Sequence, residues 1–190
     1  QYADLYSHAS MVKVGIVGAS GFTGAELLRL VAQHPEFELC VATGDSQAGG
    51  RVADLYPSLA AAYPELLFES FDIDRVLALG LDLVFLGLPH EASLSMAPHL
   101  VSSVGCVVDL SAAYRLRDAA HYPTYYGFEH DQPGLLADAV YGLPELHRAA
   151  LKGASLIATP GCYVTAATLA LRPLVEAGVS CRYWPVVELL

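Results

Sequence analysis

The chain has 190 residues, 54% of them apolar and only 16% charged, enough to bury a core and too apolar for a disordered chain. Twenty acidic against ten basic residues give a net charge of −10, whereas nucleic acid and anionic membranes need clustered positive charge. No apolar run approaches the ~18 residues of a membrane-spanning helix, because Pro, Gly, His or Asp interrupts each one.

Residues 1–10 are polar and lack the apolar segment of a signal peptide. They are expected to be an added remnant ahead of a natural start at Met11, in a cytoplasmic protein. Residues 12–17 (VKVGIV) predict a strand that runs into a glycine-rich turn, and residues 25–34 have the apolar spacing of a helix that stops before Pro35. Strands are predicted again at 38–43, 82–88, 105–110 and 155–158, with helices at 91–102 and 165–177. Strands that alternate with helices, and are apolar along their whole length, predict an α/β fold. It is a Rossmann-type, mostly parallel sheet with helices on both faces. Residues 118–144, rich in Tyr, Pro and Gly, read as an irregular excursion.

The turn Gly18-Ala19-Ser20-Gly21-Phe22-Thr23-Gly24 lies between the first strand and the first helix. Glycine permits the tight turn and lets a pyrophosphate approach the N–H groups at the helix start, where the dipole favours negative charge. The spacing is G-x-x-G-x-x-G, and its strand-to-helix context points to a dinucleotide. After the second strand, Asp45 suits the ribose hydroxyls of NAD, whereas Thr43 and Ser46 suit the 2′-phosphate of NADP. These local residues leave the two cofactors even. Arg51, the nearby cation, reads as a solvated surface arginine rather than a phosphate ligand.

The four cysteines, Cys40, Cys106, Cys162 and Cys181, have neither disulfide-scaffold density nor zinc-site spacing. Cys40 and Cys106 sit in apolar strands and read as buried thiols. Cys162 differs, because a strand runs into Pro160-Gly161 and a helix starts at or just after the cysteine. A helix N-terminus favours the reactive thiolate. A thiolate beside a nicotinamide suits attack on an activated acyl group, followed by hydride reduction of the thioester to an aldehyde.

Six segments occur in order: GASGFTGAELLRL (18–30), LGLPHEAS (86–93), VDLSAAYRLRD (108–118), YYGFEH (125–130), YGLPEL (141–146) and ATPGCYVTAA (158–167). Together they closely resemble the N-acetyl-γ-glutamyl-phosphate reductase family, relatives of aspartate-semialdehyde dehydrogenase, from about residue 11 to at least 185. The resemblance implies NADPH-dependent reduction of N-acetyl-L-glutamyl 5-phosphate to the 5-semialdehyde, with release of phosphate, in arginine biosynthesis. It implies Cys162 as the acylated nucleophile and Gly18, Ser20, Gly21, Phe22, Thr23 and Gly24 as the cofactor loop. It places Ser46 in the segment that handles the 2′-phosphate, which favours NADP. Ser111, Arg115 and Glu145 become candidate substrate contacts. Arg115 would clamp phosphate or carboxylate with its planar fork, or else form an ion pair with Asp118. Glu145 would orient substrate or hold its own loop. His90 and His147 read as structural.

The chain departs from the family at Ser111-Ala112-Ala113-Tyr114-Arg115, where similar proteins read SADFR or SGAFR, so no acid stands at position 113. It also contains no segment like HRHxPE, in which the family's catalytic histidine falls. The resemblance therefore predicts an NADP-binding domain over 11–160. Residues 161–190 would carry the catalytic-cysteine helix and begin an α+β substrate and dimerisation domain whose remainder, with the histidine, lies elsewhere. A homo-oligomer acting on a small molecule, with no metal, is implied. Two rival readings stay open: aspartate-semialdehyde dehydrogenase, and a dinucleotide-binding module without catalysis.

Overall fold

The computed structural model describes residues 11–179. The remnant expected at 1–10, Cys181, and the entry to a second domain expected around 184–186 lie outside the described residues. In chain order the elements are β1 (Val12–Val17), α1 (Phe22–Gln33), β2 (Phe37–Thr43), α2 (Val52–Leu55), α3 (Ile73–Ala78), β3 (Leu83–Leu86) and α4 (His90–Val101). They continue with β4 (Cys106–Asp109), α5 (Tyr122–Tyr126), α6 (Pro133–Asp138), β5 (Val140–Tyr141), α7 (Pro144–Leu151), β6 (Leu156–Ala158) and α8 (Cys162–Glu176).

The strands form one six-stranded sheet in the order β2-β1-β3-β4-β6-β5, and every described pairing is parallel. Two apolar clusters explain why the strands carry almost no polar residues. Val14 and Ile16 of β1 pack with Leu27, Leu28 and Val31 of α1. Val17, Val84, Leu86 and Val107 pack with Leu94, Ala97 and Leu100 of α4. Neighbouring residues of a strand point to opposite faces, so Ile16 and Val17 serve different clusters. Each such side chain taken fully out of water contributes about 1.5–3 kcal/mol.

The structure differs from the sequence expectation in several places, and α2, α3 and α7 were not expected as helices. α1 starts at Phe22 rather than at 25, because Gly21 in extended conformation (φ −82°, ψ 170°) is its N-cap and the helix begins directly on the turn. Residues 118–144 are more regular than expected. They hold a 3₁₀ turn at Ala119–His121, then α5 and α6, and then β5, a two-residue parallel edge strand beside β6. Interrupted by Pro, Gly and charged residues, they carry no apolar run of the kind that marks β1, β3 and β4.

β1 lies between β2 and β3, so the chain leaves β1 to one side and later crosses to the other. That reversal opens a crevice at the carboxyl ends of β1 and β3, the place where open α/β sheets bind ligands.

Candidate active site

Each glycine of the first turn has its own structural reason. Gly18 has φ +86°, and a Cβ there would stand 2.3 Å from the Gly87 carbonyl oxygen at the end of β3. Gly24 faces the backbone of Ala19, which an added Cβ would meet at 2.4 Å. Gly21 is exposed, and its nearest neighbour across the turn is the Gly18 oxygen, 3.8 Å from an added Cβ. Its freedom from a side chain answers to nothing inside the fold. No side chain caps α1, and its first turn holds no acidic residue. The turn thus leaves room and backbone N–H donors for an anion, as a pyrophosphate requires.

Ser20, Phe22 and Thr23 complete this loop. The Ser20 carbonyl accepts a hydrogen bond from the Tyr56 hydroxyl at 2.6 Å, while Phe22 and Thr23 are exposed at the start of α1. Segment 44–46 lies against the loop: a Cβ on Gly44 would stand 2.9 Å from the Ser20 Cβ. Ser46 and Asp45 are exposed there. Thr43, which the sequence offers beside Ser46 for a 2′-phosphate, is instead buried, and its hydroxyl accepts from the Gly18 N–H at 3.3 Å. Arg51 pairs with Asp54 at 2.9 Å on the surface.

β6 ends at Ala158, and Thr159 turns the chain by binding Asp109 twice: its N–H and its hydroxyl both donate to the Asp109 carbonyl, at 2.9 and 2.8 Å. Gly161 is then the N-cap of α8 and offers no side-chain acceptor, and exposed Cys162 is the first helical residue. Arg115 reaches this elbow from the loop after β4. Its Nε–H donates to the Thr159 carbonyl at 2.6 Å and its Nη2 to the Leu110 carbonyl at 2.9 Å. Its Nη1 lies 3.4 Å from where a Gly161 Cβ would be. Among the described residues no carboxylate forms a salt bridge with Arg115, so the ion pair with Asp118 does not form. Two of the five guanidinium N–H groups are used, leaving three.

Ser111 is buried and lies inward of Arg115. Its hydroxyl donates to the Asp109 carboxylate at 2.8 Å, its N–H does so at 3.0 Å, and its oxygen accepts from the Ala113 N–H at 3.0 Å. Burial pushes the Asp109 carboxyl up, and the two Ser111 bonds and the Arg115 charge offset part of that. The Ser93 hydroxyl, fully buried beside the same carboxyl, meets no partner in good geometry. Glu145 is exposed in the first turn of α7. The structure therefore brings Arg115 to Thr159 and Gly161, the turn that leads into Cys162, whereas Ser111 faces the interior. The sequence reading missed the aromatic wall beside them. A cavity of about 610 Å³ is lined by Arg115, Gly161, Tyr125, Tyr126, Tyr141 and His147, among others. The density of tyrosine over 118–144 was the available signal. His147 sits at a kink in α7 (φ −123°), stacked edge-on to Tyr141.

A protein-family profile described as semialdehyde dehydrogenase, NAD binding domain, matches residues 13–154. The chain belongs to this family. Among curated relatives of this semialdehyde dehydrogenase domain, an N-acetyl-gamma-glutamyl-phosphate reductase of Ectopseudomonas mendocina (strain ymp) is 51% identical over 170 residues, covering 90% of this chain and 49% of that protein. A protein of the same name from Pseudomonas aeruginosa (strain UCBPP-PA14) is 49% identical, with the same coverage. The chain spans about half the length of the curated relatives it matches. Among solved structures, aspartate semialdehyde dehydrogenase with NADP from Candida albicans superposes with a TM-score of 0.57 at 20% identity, over 88% of this chain and 48% of that one. At that identity the likeness shows the shared fold alone. No described helix is long and apolar enough to cross a membrane.

Proposed function

We propose that this chain is the cofactor-binding, cysteine-bearing half of an N-acetyl-γ-glutamyl-phosphate reductase. That enzyme reduces N-acetyl-L-glutamyl 5-phosphate to the 5-semialdehyde with NADPH and releases phosphate, a step of arginine biosynthesis in the cytoplasm, and acts as a homo-oligomer. The carrying observation is the elbow itself. Exposed Cys162 opens a 15-residue helix, and beside it stands a half-buried arginine with no described carboxylate partner. The identity to the named reductases supports the substrate.

The cofactor assignment rests on the fit of the turn. Gly18 and Gly24 are required by the backbone around them, whereas Gly21 leaves an open face of N–H donors shaped for a pyrophosphate. Gly18, Ser20, Gly21, Phe22, Thr23 and Gly24 would hold the phosphates, and Ser46 the ribose 2′-phosphate. Bound there, NADPH would supply the hydride.

The chain's own residues do the rest. Cys162 Sγ, as thiolate, attacks the acyl carbon; the carbon–oxygen bond to phosphate breaks, and phosphate departs with the bonding electrons. Backbone N–H groups at the start of α8 hold the oxyanion while it lasts. The three remaining N–H groups of Arg115 orient the phosphate by charge-assisted hydrogen bonds. Ser111 supports this turn from within through Asp109, and Glu145 orients substrate or its own loop. The acid–base histidine belongs to a segment that these 190 residues do not contain. Residues 11–160 would form the cofactor domain, with 161–190 opening the next.

The test uses the full-length protein. Phosphate-dependent reduction of NADP by N-acetylglutamate semialdehyde is expected to vanish in Cys162→Ser while NADPH affinity stays near the parent's. Turnover retained in that variant would remove the nucleophile assignment. A preference for aspartate semialdehyde would replace the substrate.

A further inference from the structure

Arg115 is held by a turn that lies outside the sheet and outside any helix. Residues 111–116 follow the last residue of β4, so no strand ladder fixes their conformation. Side chains from three distant segments do so instead. The Ala112 N–H donates to His90 Nδ1 at 3.1 Å. The Ala113 carbonyl takes a 2.9 Å bond from His130 Nε2, which makes Nε2 the protonated nitrogen. That tautomer leaves Nδ1 to accept from the Gln132 N–H at 3.3 Å. The Tyr114 hydroxyl donates to the Leu94 carbonyl at 3.0 Å, and the Leu116 N–H donates to the Tyr122 hydroxyl at 3.0 Å.

His130 is buried, as Tyr114 and Tyr122 are, and both tyrosines pack against it. Tyr122 lies 4.5 Å from it, ring centre to ring centre, and Tyr114 stands edge-on at 5.4 Å. Its bond falls on the carbonyl two residues before Arg115, and the guanidinium must span from that turn to Thr159, 44 residues away in sequence. A small rotation of the Ala113 peptide would swing the arginine off the elbow.

We infer that His130 is a positioning residue for anion recognition: by donating from Nε2 to the Ala113 carbonyl, it sets the turn that holds the free edge of Arg115 at Gly161, the residue before Cys162. This deepens the reading of Arg115 as the phosphate-orienting group and rests on it. His130 itself touches no substrate.

The experiment exploits the reach of side-chain amides. In His130→Gln the amide NH₂ falls near the place of Nε2 and can donate to the Ala113 carbonyl, whereas in His130→Asn it stops near Nδ1 and cannot. Inorganic phosphate and NADPH are titrated separately against full-length parent protein, both variants and Arg115→Met. The parent and His130→Gln are expected to bind phosphate alike. His130→Asn is expected to lose roughly tenfold or more, about 1.4 kcal/mol, toward the level of Arg115→Met. All four proteins should bind NADPH alike, which reports an intact fold. Phosphate binding by His130→Asn at the parent's affinity would overturn the role. So would equal losses in the Asn and Gln variants, because that pattern reports burial rather than a placed donor. If Arg115→Met binds phosphate as tightly as the parent, the arginine reading itself fails and carries the histidine's role down with it.

Discussion

Alanine at Gly18 would force a left-handed backbone on a residue with a side chain and drive a methyl group onto the Gly87 carbonyl. Alanine at Gly24 would meet the Ala19 backbone at a distance that no relaxation of a side chain can relieve. Both variants are expected to lose about 1–3 kcal/mol or more, the usual cost of such strain, as a lowered midpoint in thermal or urea unfolding. Gly21→Ala has neither fault and should melt near the parent, yet bind NADPH tenfold or more weakly, about 1.4 kcal/mol, because its methyl group occupies the ligand's side of the turn. Equal NADPH affinity in Gly21→Ala and the parent would move the pyrophosphate elsewhere. His130 gives a second test. Burial holds its pKa below the ordinary value, so the unfolded chain takes up the proton first and acid favours unfolding. Its contribution is complete above about pH 6.5 and is lost as pH falls from there through its folded value. Asp109, pushed up by burial, acts in the opposite direction. The comparison is therefore parent against His130→Gln: the variant's unfolding midpoint should fall less between pH 7 and pH 5.

At the scale of elements, the long strands and α1, α4 and α8 were legible because each buries an apolar pattern long enough to show its period. Leu28, fully buried where α1 meets the sheet, should cost about 2–5 kcal/mol when cut to alanine, measured by urea unfolding. Removing either partner of the exposed pairs Arg29–Glu26 and Arg172–Glu176 should leave the unfolding midpoint almost unchanged, although both pairs are close. The short helices α5 and α6 and the two-residue β5 were not legible, because they are set by what they pack against rather than by their own pattern. Tyr122, wholly buried at the first residue of α5, is an example. The candidate site divides in the same way. The glycine spacing and the strand-Pro-Gly-Cys elbow could be read from neighbouring residues. That Thr43 is spent on Gly18, or that Arg115 ends on the carbonyls of Leu110 and Thr159, depends on contacts between segments far apart in sequence.

For the molecule as a whole, a ligand that binds only the folded state stabilises it by mass action. NADPH at a hundred times its dissociation constant should add about 2.7 kcal/mol. In a domain of this size that raises the melting temperature by roughly 5–10 °C. NADH at the same concentration should give a smaller rise if Ser46 meets a 2′-phosphate; equal rises would remove that contact and leave NAD and NADP even.

Because every strand of the sheet points the same way, its two rims have separate duties. The glycine turn, the 111–116 turn and the cysteine elbow all leave carboxyl ends of strands, at β1, β4 and β6. The opposite rim holds Gly80 and Gly153, both in left-handed turns with nothing within 4 Å of an added Cβ, ahead of β3 and β6. That rim is a handle: a fluorophore, an affinity peptide or an attachment to a solid support on the exposed side chain of Lys152, beside Gly153, would tether the protein by its back and leave its working edge facing the solution.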